Sequence, residues 1–187
     1  MAGSAALDFL LTRRSRPAKL LAAPAPGREE LMRLMTAAVR VPDHGKLEPW
    51  RFVVLEGAGL ARFAQAIRAR AEAAGQDADK GALAFEQAPL AVAVIGSPKP
   101  SEKIPAQEQM LSAANVALSL LNAALAAGWG ASWLTGWAAY DRPLVEGELG
   151  LAPEEWVAGF VYIGSCAAAV PDRPRPEVEK LVTWAAG

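Results

Sequence analysis

Histidine and cysteine are almost absent from this sequence, which contains only His44 and Cys166 in 187 residues. A single cysteine excludes an internal disulfide framework, and without a CxxC motif or a His/Cys cluster we predict no metal site. The sequence also lacks GxSxG, HExxH and P-loop motifs, and it has no recognisable Ser/His/Asp pattern. If the chain is an enzyme, these absences favour a bound cofactor that supplies the difficult chemistry.

A strong net charge is also missing, since the formal charge is −1 at pH 7. No global field therefore favours nucleic acid or an anionic membrane. The N-terminal stretch MAGSAALDFLLTRRSR places its basic cluster after the apolar residues, which is the reverse of a secretory signal peptide. We therefore expect a cytoplasmic chain.

One apolar segment, Met110–Gly130, is long enough to span a bilayer. It carries a polar stripe at helical spacing, formed by Ser112, Asn115, Ser119 and Asn122. Its ends also lack basic or aromatic anchors on both sides. We interpret the segment as a helix buried in protein, either at the centre of a domain or at a subunit interface.

The hydrophobic fraction of 52% and the length of 187 residues predict one globular domain spanning residues 1–187. Apolar spacing predicts helices over Ala5–Arg14, Glu29–Val39, Leu60–Ala74, Asp79–Ala88, Met110–Gly130 and Pro143–Leu149. Strands are predicted over Arg51–Gly57, Leu90–Gly96, Ala131–Ala138 and Trp156–Ser165. A turn is expected at Gly57–Gly59, and the proline-rich tail is expected to be extended over another surface. This alternation predicts an α+β domain of three layers; a Rossmann fold is disfavoured because GWG follows a helix and lacks a third glycine.

Two polar stretches could bind a ligand. Arg13–Arg16, RRSR, combines forked guanidinium donors with a hydroxyl, which suits a phosphate group, although cations at a helix C-terminus are equally ordinary dipole partners. In RVPDHGKLEPW, Asp43 could orient the ring of His44 or cap a turn. Taken alone, the lone loop histidine is better interpreted as a solvated or locally bonded residue.

Three further features are more ambiguous. The glycines and aromatic residues of GASWLTGW could flank a planar ligand, but a buried strand with glycine-limited ends explains them equally well. Arg173 and Arg175 in the tail are candidate phosphate partners or solvated charges, and their sequence context alone favours solvated charges. Cys166 is interpreted as the end of a buried strand rather than as a reactive thiol.

Taken in order, RRS, RVPDHGKLEPWRF, VIGSPK, GWGASWLTG and GFVYIG resemble the nitroreductase family, in particular its short YdjA-like branch. The resemblance covers nearly the whole chain. It implies an α+β fold with a central, mostly antiparallel sheet flanked by helices. It also implies an intertwined homodimer that binds FMN at two sites in the subunit interface.

The resemblance also implies roles for particular residues. Arg13, Arg14 and Ser15 match the flavin-binding RRS, and Arg40 and His44 match positions that reach the flavin from the other subunit. A strand segment that contacts the same cofactor is matched by Trp133, Leu134 and Thr135. A stretch associated with the nicotinamide nucleotide is matched by Ala123, Ala124, Leu125, Ala126, Ala127 and Gly128. No side chain is expected to be an obligate acid or base.

The implied activity is that of an FMN-dependent NAD(P)H oxidoreductase, which reduces a nitroaromatic, quinone or similar small acceptor by ping-pong hydride transfer. Two alternatives stay open: another flavin reaction on this scaffold (dehalogenation, azoline oxidation or flavin fragmentation), or a non-enzymatic flavin-binding dimer. The sequence departs from the family pattern at Glu48, where glutamine is usual, and at Leu134, where a polar residue is common. Neither departure removes a phosphate contact.

Overall fold

The structure is a computed structural model that describes residues 4–185. Its helices are α1 (Ala5–Thr12), α2 (Arg28–Ala38), α3 (Ala58–Ala71), α4 (Ala78–Gln87), α5 (Ala106–Ala126) and α6 (Arg142–Leu149). Its strands are β1 (Trp50–Glu56), β2 (Leu90–Gly96), β3 (Gly130–Leu134) and β4 (Trp156–Gly164). Short 3₁₀ turns occupy Ala18–Leu20, His44–Lys46, Trp137–Ala139 and Val178–Leu181.

The four strands form one antiparallel sheet in the order β1-β2-β4-β3. β2 is central, and all of its residues are buried, as expected for a strand covered on both faces. β1 and β3 form the two edges. The prediction of an α+β fold with a central, mostly antiparallel sheet is therefore confirmed.

Each face of the sheet has its own apolar core. On one face, α3, α4 and α6 pack against a cluster that includes Phe63, Phe85, Phe160 and Tyr162, whose rings meet edge-on or tilted. On the other face, α2 and α5 pack against the remaining side chains of β2 and β4. The domain consequently has three layers, helix–sheet–helix, as predicted.

α5 is the one helix in residues 4–185 that is long and apolar enough to span a membrane by length and composition, with a mean hydropathy of 1.3. One of its faces, which includes Val116, Ala117 and Leu120, is fully buried against the sheet. Its opposite face leaves Leu111 and Leu118 exposed, at 55% and 39%. Within one chain, α5 is thus a core helix with one open apolar face.

Several predicted boundaries are wrong, and each has a local cause. β3 ends at Leu134 rather than at Ala138, because Gly136 takes a φ of 90° and turns the chain away from the sheet. Gly59 lies inside α3, so the predicted turn is confined to Gly57. α5 begins at Ala106 because its polar first turn, AQEQ, is helical and follows Pro105.

The ends of two other elements also differ from the prediction. α1 ends at Thr12, so Arg13 and Arg14 lie outside the helix. Cys166 is not part of a buried strand: it follows the end of β4 and is half-buried. Beyond it, residues 171–185 are exposed and contain only the short turn Val178–Leu181. The tail is therefore extended, as expected.

Candidate active site

The segment Arg13–Arg16 lies along the free edge of the sheet. The backbone N–H of Arg16 donates to the carbonyl of Ala131 in β3 at 2.7 Å. Because β3 is an edge strand, its outer backbone groups are available for this pairing, and Pro17 then ends the ladder because it has no N–H. The sheet edge thereby fixes the two preceding arginines beside β3.

The C-terminal tail completes a cluster of guanidinium groups at this edge. Arg13 Nη2 donates to Ser15 Oγ at 2.8 Å, and Arg14 Nε donates to the carbonyl of Pro171 at 3.2 Å. Asp172 follows in the tail, where its carboxylate accepts from Arg175 Nη2 at 2.6 Å and lies 3.9 Å from Arg14 Nε. The tail therefore brings Arg175 and its partner carboxylate to the RRS segment.

Electrostatics in this cluster favour an anion. Burial lowers the pKa of the Arg13 guanidinium below its usual range, and the nearby charges of Arg175 and Arg14 lower it further. Nε of Arg13 is buried and has no hydrogen-bond partner among the described residues. A phosphate monoester would relieve the repulsion between the cations and accept the orphaned N–H, so these residues fit the phosphate of FMN.

A cleft of about 300 Å³ extends from this cluster towards the end of α5. Arg13 and Arg16 line it together with Leu125, Gly128 and Cys166. The predicted nucleotide stretch therefore contributes two residues to the cleft. Within that stretch, the predicted contact of Ala124 is corrected, because its side chain is fully buried in the core and does not reach the cleft.

The end of β3 presents the second predicted segment beside the cluster. The indole of Trp133 lies across β4, where Nε1 donates to the carbonyl of Ala158 at 3.2 Å. Gly159 makes room for this ring, since a Cβ there would stand 1.8 Å from the indole nitrogen. Leu134 is 42% exposed and Thr135 is also exposed, so both are accessible to a ligand.

Arg40 and His44, by contrast, are not near the cluster within one chain. His44 precedes β1, and β1 and β3 are opposite edges separated by about 14 Å, three strand spacings. The His44 loop is tied to the start of α5 by a hydrogen bond from Ser112 Oγ to the carbonyl of Pro42, at 2.6 Å. The cleft lies at the other end of α5, beside Leu125, about 20 Å further along the helix. The two sets of residues therefore lie at diagonally opposite corners of the molecule.

For Arg175 the sequence leaves two alternatives, a phosphate contact and a solvated charge; the structure brings it close to Arg13, half exposed and paired with Asp172. The tail contact from Arg14 to Pro171 spans 157 residues of sequence, and no local pattern marks it. The sequence allows Asp43 either to orient the His44 ring or to cap a turn, and the structure decides between these roles. Its carboxylate accepts from the backbone N–H groups of Leu47 at 3.1 Å and Glu48 at 2.9 Å, so it caps a turn.

The fold and the cleft define an α+β protein with an arginine-lined cleft of about 300 Å³ at the sheet edge. The sequence model of the nitroreductase family, described as "Nitroreductase family", matches residues 10–165. The chain belongs to this family of oxidoreductases.

Known proteins agree with this assignment. The chain is 37% identical over 182 residues to YdjA of Escherichia coli (strain K12), which is named provisionally as an NAD(P)H nitroreductase; the match covers 92% of this chain and 97% of YdjA. A nitroreductase-like protein from Bacillus cereus superposes with a TM-score of 0.83 at 20% identity, over 100% of this chain and 99% of that one. An FMN-dependent nitroreductase from Clostridium difficile R20291 superposes with a TM-score of 0.69 at 20% identity, over 97% and 99% of the two chains.

Proposed function

We propose that this chain is an FMN-dependent NAD(P)H oxidoreductase that reduces a nitroaromatic, quinone or similar small acceptor. The observation that carries the proposal is the arginine cluster at the sheet edge, with its orphaned Arg13 Nε–H and the neighbouring hydroxyl of Ser15. The FMN dependence of the C. difficile protein and the NAD(P)H in the name of YdjA support it.

Two groups of residues share the binding of FMN. Arg13, Arg14, Ser15 and Arg175 hold the phosphate, while the exposed end of β3 at Leu134 and Thr135 borders the ring system. Each charge-assisted bond to the phosphate contributes about 1.5–3 kcal/mol. When bound, FMN would supply the chemistry by accepting a hydride from NAD(P)H and passing electrons to the acceptor. Leu125 and Gly128, which the resemblance associates with the nicotinamide nucleotide, line the same cleft as Arg13 and Arg16.

Arg40 and His44 come from a second copy of the chain, because within one chain they lie far from the arginine cluster.

The N-terminal helix α1 also indicates a partner. It has no buried residue, and its Leu7, Leu10 and Leu11 are 52%, 57% and 72% exposed. A helix of eight residues is not stable in isolation, so it needs a covering surface.

The open apolar face of α5 suggests how two copies meet. A two-fold axis across the middle of α5 places the start of this helix in one subunit beside its end in the other. That arrangement brings the partner's His44 loop to the arginine cluster, and it buries Leu111 and Leu118. Two sites per dimer then lie at the interface.

The purified protein tests the proposal by its visible spectrum and its turnover. We expect a yellow protein, or one that becomes yellow with added FMN, that bleaches on anaerobic addition of NAD(P)H. Steady-state NADPH oxidation should then increase when a nitroaromatic is added. A protein that stays colourless with FMN would contradict the proposal. Retained FMN without bleaching would favour a non-enzymatic flavin-binding dimer, and bleaching without turnover of a nitroaromatic would favour another flavin reaction.

A further inference from the structure

The loop that carries His44 has an unusual backbone. Gly45, Lys46 and Glu48 have φ angles of 78°, 55° and 48°. In residues 4–185, Lys46 and Glu48 are the only non-glycine residues with positive φ. Such conformations cost about 1–3 kcal/mol each and persist only where the surroundings hold them in place.

Both ends of this loop are fixed to the rest of the chain. Ser112 Oγ in α5 donates to the carbonyl of Pro42 at 2.6 Å, and the backbone N–H of Ser97 donates to the carbonyl of Pro49 at 3.0 Å. Neither bond reaches the two residues with left-handed backbone. Two backbone bonds reach them: the N–H of Lys46 donates to the carbonyl of Asp43 at 3.2 Å, and the N–H of Trp50 donates to the carbonyl of Glu48 at 2.7 Å. The amides that follow Lys46 need a further constraint from a side chain in the loop.

Asp43 supplies that constraint. One carboxylate oxygen accepts from the N–H of Leu47 at 3.1 Å, and the other accepts from the N–H of Glu48 at 2.9 Å. Both amides lie directly after Lys46, so the carboxylate ties Asp43, which precedes Lys46, to the chain that follows it. The side chain of Asp43 is thus occupied with the backbone and does not orient the neighbouring His44 ring directly.

We propose that Asp43 is a positioning residue, whose carboxylate holds the loop 42–49 in the conformation that presents His44 to the flavin of the second subunit. The inference rests on the proposed function. Ordering the loop before binding removes an entropic cost that a flexible loop would pay when FMN is bound. Asp43 therefore acts on FMN affinity without touching FMN.

The test compares Asp43→Asn with a matched control, Asp77→Asn. Asp77 Oδ1 also accepts two backbone N–H groups, from Asp79 at 2.9 Å and Lys80 at 3.1 Å, but it caps α4, away from the cleft. Asparagine keeps one acceptor oxygen and places an amide donor where the second oxygen was. Amide hydrogen exchange of the FMN-free protein measures how strongly the loop amides are protected. Quenching of FMN fluorescence measures the Kd for FMN.

In Asp43→Asn we expect hydrogen exchange of the Leu47 and Glu48 amides to accelerate at least tenfold. The Kd for FMN should rise about tenfold, which corresponds to the loss of one charge-assisted hydrogen bond. Asp77→Asn removes the same charge but keeps the single oxygen that accepts both bonds, so exchange at the Asp79 and Lys80 amides and the Kd for FMN should each change less than twofold. The double variant Asp43→Asn/Glu48→Gly should recover most of the affinity, because glycine accepts positive φ without a Cβ penalty.

Three results would overturn the inference. Exchange at Leu47 and Glu48 could be unchanged in Asp43→Asn, the two single variants could weaken FMN equally, or affinity could fall without recovery in the double variant. A wild-type protein that binds no FMN contradicts the proposed function instead, and the exchange rates then still decide whether Asp43 holds the loop.

Discussion

Arg175 offers the sharpest test of the cluster, because the tail carries a matched control two residues away. In Arg175→Met we expect weaker FMN binding, since this guanidinium lies close enough to lower the pKa of Arg13. In Arg173→Met the net charge changes equally, but no contact of the Arg173 guanidinium with the cluster is present in residues 4–185. The comparison therefore separates a local phosphate contact from a general loss of positive charge.

The expected loss of FMN affinity in Arg175→Met follows from the exposure of the Arg175 side chain. A charge-assisted bond to phosphate contributes about 1.5–3 kcal/mol. The Arg175 side chain is 48% exposed, and in the free protein it is already paired with Asp172 at 2.6 Å. Both facts move the expected loss to the low end, about 1.4 kcal/mol, which is a tenfold rise in Kd. Arg173→Met should change the Kd less than threefold.

Quenching of FMN fluorescence on titration with protein measures both constants. Repeating the titration between about 0.1 M and about 1 M salt, where the Debye length falls from about 10 Å to about 3 Å, should narrow the difference between wild type and Arg175→Met. The free energy of unfolding should be unchanged in both variants, because the tail is exposed. Equal Kd values for Arg173→Met and Arg175→Met would refute the assignment of Arg175 to the phosphate.

Three further predictions concern other parts of the molecule. His44→Ala should weaken FMN retention while leaving the thermal midpoint unchanged, and unchanged FMN affinity would return His44 to an ordinary loop residue. The Arg51 guanidinium holds the pKa of Glu155 at about 2, below its ordinary 4.5. The Glu155 carboxylate therefore stabilises the fold above about pH 4.5, and this contribution is lost as pH falls towards 2. In Glu155→Gln the melting temperature should fall less steeply on the acid side of a pH series. A profile identical to that of the wild type would contradict this. Gly159→Ala should cost about 3 kcal/mol of unfolding free energy in urea, because its Cβ would collide with the Trp133 indole, and a loss below about 0.5 kcal/mol would show that the ring relocates freely.

The elements that sequence predicts well are those whose pattern is set by burial alone. LAVAVIG is continuously apolar, and it forms β2 with the predicted bounds, Leu90–Gly96. β3 is predicted too long because aromatic and apolar residues continue past its end, while the break comes from the backbone at Gly136. Periodicity reports which residues are apolar, and it is silent about where a φ angle changes sign.

The site follows the same division. A phosphate clamp at Arg13–Arg16 can be proposed from residue types, because forked guanidinium donors beside a hydroxyl suit a phosphate, but residue types alone favour a helix-dipole role equally. For Arg175 residue type leaves a phosphate contact and a solvated charge both open, because its position depends on a tail that returns across 157 residues of sequence to meet Arg14. Asp43 is visible in the sequence, yet only the backbone shows that its two oxygens hold residues with positive φ.

The diagonal separation of His44 from the arginine cluster bears on how the molecule is assembled. A single sheet of this order keeps its first and third strands on opposite edges, so loop flexibility alone does not bring the two corners to one flavin. The His44 loop is moreover fixed at Pro42 and Pro49 and strained between them. The His44 loop therefore cannot reach the flavin site of its own chain. It is well placed to reach the site of a second chain that packs antiparallel along α5. The same open apolar face of α5 that makes this helix resemble a membrane span therefore serves, in our proposal, to join each cluster to the partner's loop.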